Sequence, residues 1–184
     1  MKSTGWPGKE KPQRGEQDMA KKIAYYANLL ALALVLSWLE LLLPFDFGIP
    51  GLKLGLTNIV MVFTLYRNGF RPALLLQLSR ILLISLLFGN VMGLVYSLAG
   101  GLLSLLVMTL LKRLPFFSTL GVSLAGGLTH NVGQWCAALL VMPFSALLYY
   151  LPFLLIAGAA TGLLVGFLAR LLIPVPDRLH IRGL

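Results

Sequence analysis

PALLLQLSRILLISLLFG, residues 72–89, is an almost unbroken apolar run with one charge, Arg80, near its centre and Gln77 one turn before it. About 20 such residues cross the hydrocarbon core of a bilayer as a helix. A cation at that depth costs roughly 2.5–3.5 kcal/mol on insertion scales, so it faces the interior of a bundle and marks a working site. The stretch reads as one span of a polytopic membrane protein, with Arg80 the first residue to examine for its function.

Outward from this run the same signal repeats. Between Phe47 and Pro176 the chain has no Asp or Glu, and 58% of its 184 residues are hydrophobic, with a mean hydropathy of +0.88. A soluble domain of this size does not have that balance. The net charge of +9 does not indicate nucleic acid, because the cations flank the apolar runs or lie in the polar tails. The single cysteine, Cys136, excludes a disulfide within the chain and a Cys-ligated cluster. Placed inside an apolar run, it reads as a small buried packing residue.

The pattern predicts an all-α fold with six transmembrane helices at roughly 23–43, 54–68, 72–89, 91–111, 119–142 and 147–173. Residues 1–21 read as a disordered, polar cytoplasmic tail, 22–174 as the membrane domain and 175–184 as a second short cytoplasmic tail. The second helix is short, and Pro50, Gly51 and Gly55 imply an irregular start; Gly89 and Asn90 imply a tight turn. Lys21, Lys22, Arg67, Arg71, Lys112, Arg113, Arg170, Arg178 and Arg182 fall on one side of this topology, with Lys53 alone opposite. The positive-inside rule then puts both termini in the cytoplasm, in a bacterial plasma membrane. The loop 44–53, stiffened by Pro44 and Pro50, suits a lid over an outward-facing site.

Small residues recur every fourth position: Gly93, Ser97 and Gly101 in the fourth helix, Gly158, Gly162 and Gly166 in the sixth. Such stripes let helix backbones approach closely in lipid. Ala27 and Ala31 form a similar stripe on the first helix, placed to dock another membrane subunit. The polar residues of the spans are Glu40, Asn58, Arg80 with Gln77, and His130, Asn131 and Gln134 at i, i+4 and i+3 spacings, with Lys53 just before the second helix. Two readings stand. In one they knit helices together, with Glu40 pairing Arg80 or Lys53. In the other they line a polar cavity in the outer half of the bundle. Lys53 and Arg80 outweigh Glu40, which favours an anionic or polar, partly aromatic ligand, with Phe45, Phe47, Phe88, Tyr96, Trp135 and Tyr149 as candidate lining.

Several chemistries are excluded. No Gly-rich run ends in Gly-Lys-Ser/Thr, so the chain alone does not hydrolyse ATP. His130 and His180 are the only histidines, which leaves no bis-His haem in the membrane. Holding Mg²⁺-diphosphate takes carboxylates, which the acid-free stretch lacks. The chain is not expected to be an enzyme or to bind a metal.

Pro50-Gly51-Leu52-Lys53-Leu54-Gly55-Leu56-Thr57-Asn58-Ile59-Val60 resembles the hallmark segment of the Gx transporter family, also labelled heptaprenyl diphosphate synthase component I. Arg80, Ser97-Leu98-Ala99-Gly100-Gly101-Leu102-Leu103-Ser104, Gly121-Val122-Ser123, Thr129-His130-Asn131-Val132-Gly133-Gln134 and Leu151-Pro152 continue the match over residues 22–173. Thr57 departs from it, standing where a small residue such as Ala is expected. The family is similar in architecture to the substrate-binding S components of energy-coupling factor (ECF) transporters. The resemblance implies a six-helix protein that binds a nutrient near the outer face, partnered by a transmembrane subunit and two ATPases. Relatives are also linked to flavin-based extracellular electron transfer.

Three functions follow as expectations. The first is a small-molecule-binding, S-component-like transport subunit using Glu40, Lys53, Asn58, Arg80, His130, Asn131 and Gln134. The second is a membrane subunit of a flavin- or quinone-dependent electron-transfer system, alongside flavin-carrying partners. The third is a non-catalytic membrane subunit beside a prenyl diphosphate synthase.

Overall fold

Leu- and Ala-rich runs favour the helix intrinsically, and in lipid the helix also satisfies every backbone group internally. The computed structural model describes residues 14–42, 55–88 and 91–173, which form six helices and no strand. They are α1 (Arg14–Leu42), α2 (Asn58–Arg67), α3 (Phe70–Phe88), α4 (Val91–Lys112), α5 (Thr119–Ala138) and α6 (Phe144–Leu172). The 44–53 loop with Lys53, the Gly89–Asn90 turn, residues 1–13 and residues 174–184 lie outside the described residues.

α1 starts at Arg14, inside the segment expected to be a disordered tail. Its opening turns contain Glu16, Gln17, Met19, Ala20, Lys21 and Lys22. These are good helix formers, and Glu16 in the first turn complements the helix dipole. The helix therefore runs on past the apolar segment.

Four helices are long and apolar enough to cross a membrane: α1, α3, α4 and α6. The other two take internal positions. α2 has 10 residues, about 15 Å at 1.5 Å per residue, and touches every other helix. α5 packs most extensively against α4 and α6, and half of its 20 residues are buried. Polar side chains are costly against lipid, so the shortest helix and the one richest in polar groups turn their polar sides inward, against neighbouring helices. Outside, large apolar side chains face outward, Leu86 at 81% exposure and Ile156 at 69%. Of the aromatic residues considered for a cavity lining, Tyr149 and Phe88 belong to this outer face, and Tyr96 is core. Cys136 is also exposed rather than buried, because α5 turns that side away from α4 and α6.

Glycines set the helix spacing. A Cβ added at Gly133 would meet Ala99 O at 2.6 Å, and one at Gly127 would meet Gly158 O at 2.2 Å. Gly162 approaches Ser123 O in the same way, and Gly166 lies against Ser123 Cβ and Leu120 Cα. In α4, Ser97 and Gly101 are buried and Gly93 is half-buried. α2 closes on Gly69 at φ +94°, which returns its N–H to Thr64 O; only glycine takes that conformation at no steric cost.

The basic residues gather at one end. Lys112 Nζ donates to Leu65 O at 2.6 Å and lies over the Tyr66 ring, while Arg67 donates to Ile173 O at 3.0 Å. These cations cap the C-termini of α2 and α6, where the helix dipole is negative. Tyr25 Oη donates to Asn68 Oδ1, so the first part of α1 and the last turn of α6 share this Arg67 end.

Gly127→Ala is expected to destabilise the purified protein by about 1–3 kcal/mol, as overpacking does. Gly15→Ala, whose added Cβ meets nothing within 4 Å, is expected to be neutral or mildly stabilising. Denaturant unfolding in micelles, followed by helix content, measures both.

Candidate polar site within the membrane

Lipid and apolar side chains offer no hydrogen bonds, so a buried charge must find protein partners. Arg80 is 4% exposed. Its Nη1 donates to Ser37 Oγ at 3.2 Å and its Nη2 to Gln77 Oε1 at 3.1 Å. Ser37 Oγ is 3.0 Å from Thr57 Oγ1, and Thr57 Oγ1 donates to Glu40 Oε2 at 3.2 Å. The direction of this chain is fixed at both ends. A guanidinium only donates and a carboxylate only accepts, so Ser37 must pass its proton toward Thr57. Two hydroxyls thus relay hydrogen bonding from the cation of α3 to the anion of α1 through the turn before α2.

Glu40 also holds the backbone of that turn, its Oε1 accepting from Leu56 N. Thr57, at the N-cap, makes no side-chain cap of its own because its hydroxyl is committed to the relay. Glu40 thus anchors, from another helix, the turn that leads into α2, whose first N–H groups are taken by the carbonyls of Gly55, Leu56 and Thr57. A carboxylate beside a helix N-terminus is also stabilised by the helix dipole.

The residues expected to form a site fall into two groups joined by this turn. Glu40 and Arg80 make one. His130, Asn131 and Gln134 on α5 make the other, with exposures of 3%, 1% and 0%. Gly55, at φ +83°, lets the turn pass close to α5: a Cβ there would lie 3.1 Å from Asn58 Nδ2 and 3.3 Å from His130 Cδ2. Asn58 and His130 thus both lie beside this turn, while Thr57 meets the charged group. Asn131 Nδ2 donates to Leu154 O of α6 at 2.6 Å. Gly100 of α4 lies against His130 O and Gln134 Cγ, and Gly101 lies under Gln77 Nε2, where a Cβ would come within 2.1 Å. These glycines seat the polar side chains as well as the helices.

The site keeps unused hydrogen-bonding capacity. Arg80 Nε, Asn58 Oδ1, Ser123 Oγ and Asn131 Oδ1 are buried with no partner among the described residues. The arrangement suits a ligand with both donors and acceptors. It places no carboxylate cluster that could hold a metal among the described residues.

Ser37 was not singled out in the sequence. Its signal was its position three residues before Glu40 on one helix face. Thr57, noted as a departure from the family pattern, is the middle of the relay. Trp135, considered for the lining, instead donates to Leu147 O at 3.0 Å and ties α5 to α6. The structure does not bring Ala27 and Ala31 to this site; both are exposed on α1.

Fold and site define a helical membrane protein with a buried, charged interior. The chain belongs to the family described as heptaprenyl diphosphate synthase component I, whose model matches residues 29–172. No curated protein and no solved structure matches it.

Replacing Arg80 by Met strands Glu40, and breaking a buried pair in this way is expected to cost roughly 3–5 kcal/mol. Adding Glu40→Gln is expected to recover part of that loss. Unfolding of the two single variants and the double variant gives the coupling energy, and strict additivity would mean the relay does not connect them.

Proposed function

We propose that the protein is a small-molecule-binding subunit of a membrane transporter, similar in role to an S component, with no catalytic activity of its own. The observation that carries this reading is the set of buried, unpartnered groups around the 55–58 turn: Arg80 Nε, Asn58 Oδ1, Ser123 Oγ and Asn131 Oδ1. A buried polar group without a partner costs about 1–3 kcal/mol, and a ligand that pairs several of them recovers that cost on binding. Arg80 would contribute a planar fork of donors, which fits a carboxylate, phosphate or carbonyl-bearing ligand.

The cations of the Arg67 end support an orientation with that end in the cytoplasm of a bacterial plasma membrane. In that orientation the site would face the outer side. The exposed Ala27 and Ala31 of α1 would receive a transmembrane partner, with ATPases supplying the energy this chain lacks the motif to supply. The family description names a prenyl diphosphate synthase; the corresponding reading here is a membrane subunit that anchors such an enzyme.

Mass spectrometry of the protein gently extracted from its native membrane tests these roles. A transport subunit is expected to bring ATPase subunits and a bound small molecule. Arg80→Lys, which keeps charge but loses the fork, is expected to fold and lose the small molecule. Ala27→Leu with Ala31→Leu is expected to keep it and lose the ATPases. Flavoproteins with a quinone or flavin, or a prenyl synthase, in place of ATPases would contradict the transport role.

A further inference from the structure

α1 packs against α2 and α3 but does not reach α6. Between α1 and α6, floored by α2, lies a groove of about 590 Å³ lined only by Leu, Ile, Val and Phe side chains. It runs from Leu36 and Leu56 near the polar site to Leu29 and Leu172 toward the Arg67 end. Its volume lies in the range of small-molecule sites, roughly 300–1,000 Å³. Along α6 it extends from Leu164 to Leu172, about 12 Å at 1.5 Å per residue.

Two observations identify the occupant. Helices approach closely in lipid through small residues, as the α4–α5 and α5–α6 crossings do here: Gly133 on Gly100, Gly127 on Gly158. The groove has no Gly, Ala or Ser in its lining, so it lacks the means of such a close crossing, and its apolar walls suit a flexible hydrocarbon chain. One end of the groove approaches the polar interior, although no polar side chain among the described residues lines it. Leu36 and Leu56 are the chain neighbours of Ser37 and Thr57 in the relay. Val165 lines both the groove and a closed crevice, too small as it stands to hold a water, formed with Gly55, Asn58, Ser123 and Gly127. Asn58 Oδ1 and Ser123 Oγ there have no partner among the described residues, and their residues are 5% and 2% exposed.

We propose that the groove holds the single hydrocarbon chain of an amphiphilic ligand whose polar head lies beside Asn58 and the Arg80–Glu40 relay. This rests on the binding role proposed above and names its ligand class: one chain, with a head that both donates and accepts hydrogen bonds. Such a ligand would enter sideways from the bilayer through the gap between α1 and α6.

A diazirine-bearing hexadecyl phosphate, added to the protein in phosphatidylcholine nanodiscs, tests the proposal, with labelled residues mapped by mass spectrometry. Expected is saturable labelling around Phe63, Leu164 and Leu168, competed by unlabelled hexadecyl phosphate and not by two-chain phosphatidic acid. Leu164→Trp and Leu32→Trp fill the groove from opposite walls at positions 48% and 50% exposed, where the fold tolerates bulk; each is expected to reduce labelling at least tenfold. Arg80→Lys and Asn58→Leu are expected to do the same from the head side. Non-saturable labelling shared with Leu86 and Ile156, or equal competition by phosphatidic acid, would show ordinary lipid and overturn the proposal. Saturable labelling lost in Arg80→Lys but kept in both tryptophan variants would overturn the groove and leave the polar site standing. Labelling lost only in the tryptophan variants would overturn the placement of the head.

Discussion

A carboxylate from one helix holds the turn that opens another, and the rest of the interior is arranged around that contact. Glu40 of α1 accepts from Leu56 N and from Thr57 Oγ1. It fixes the turn before a helix start that has no side-chain cap. The same acid balances Arg80 through Ser37 and Thr57. Two bare charges in a medium of low dielectric would be costly, and a chain of hydroxyls distributes the charge over four side chains from three segments. α1, α2 and α3 are therefore joined by polar contacts at the level where lipid offers none.

The other half of the bundle is built on close approach. α5 can carry His130, Asn131 and Gln134 because α4 and α6 cover it, and they cover it because glycines stand at the crossings. The tight glycine contacts and the buried polar groups are one design: removing a Cβ brings backbones together and leaves room for an imidazole or an amide beside them. α1 is the exception, held to α3 and α2 and separated from α6. That separation creates the groove, and it makes α1 the helix least constrained by the bundle.

The membrane class, the helix count and the internal position of Arg80 were legible in the sequence, because a charge in an apolar run has few places to go. The irregular start of α2 was legible from Gly55, which the structure shows in the left-handed conformation. The start of α1 was not, since a charged amphipathic stretch such as 14–22 reads as a tail in composition and as a helix in propensity. Ser37 and the role of Thr57 were hidden because hydroxyls are common in membrane helices and their partners lie on other segments. Cys136 was misread for a similar reason: an apolar run says that a residue is in the membrane, not which side of its helix faces lipid. The groove was invisible, because the absence of contact between α1 and α6 is a property of packing that no local pattern encodes.

The most direct measurement is an electron cryomicroscopy map, at a resolution that shows side chains, of the protein extracted from its native membrane. A binding site at the relay requires density that is not protein within hydrogen-bonding distance of the Arg80 guanidinium and Asn58 Oδ1. If instead Arg80, Asn58 and Asn131 are all closed by protein groups with no foreign density beside them, the polar interior serves to hold helices together, and the binding role is wrong.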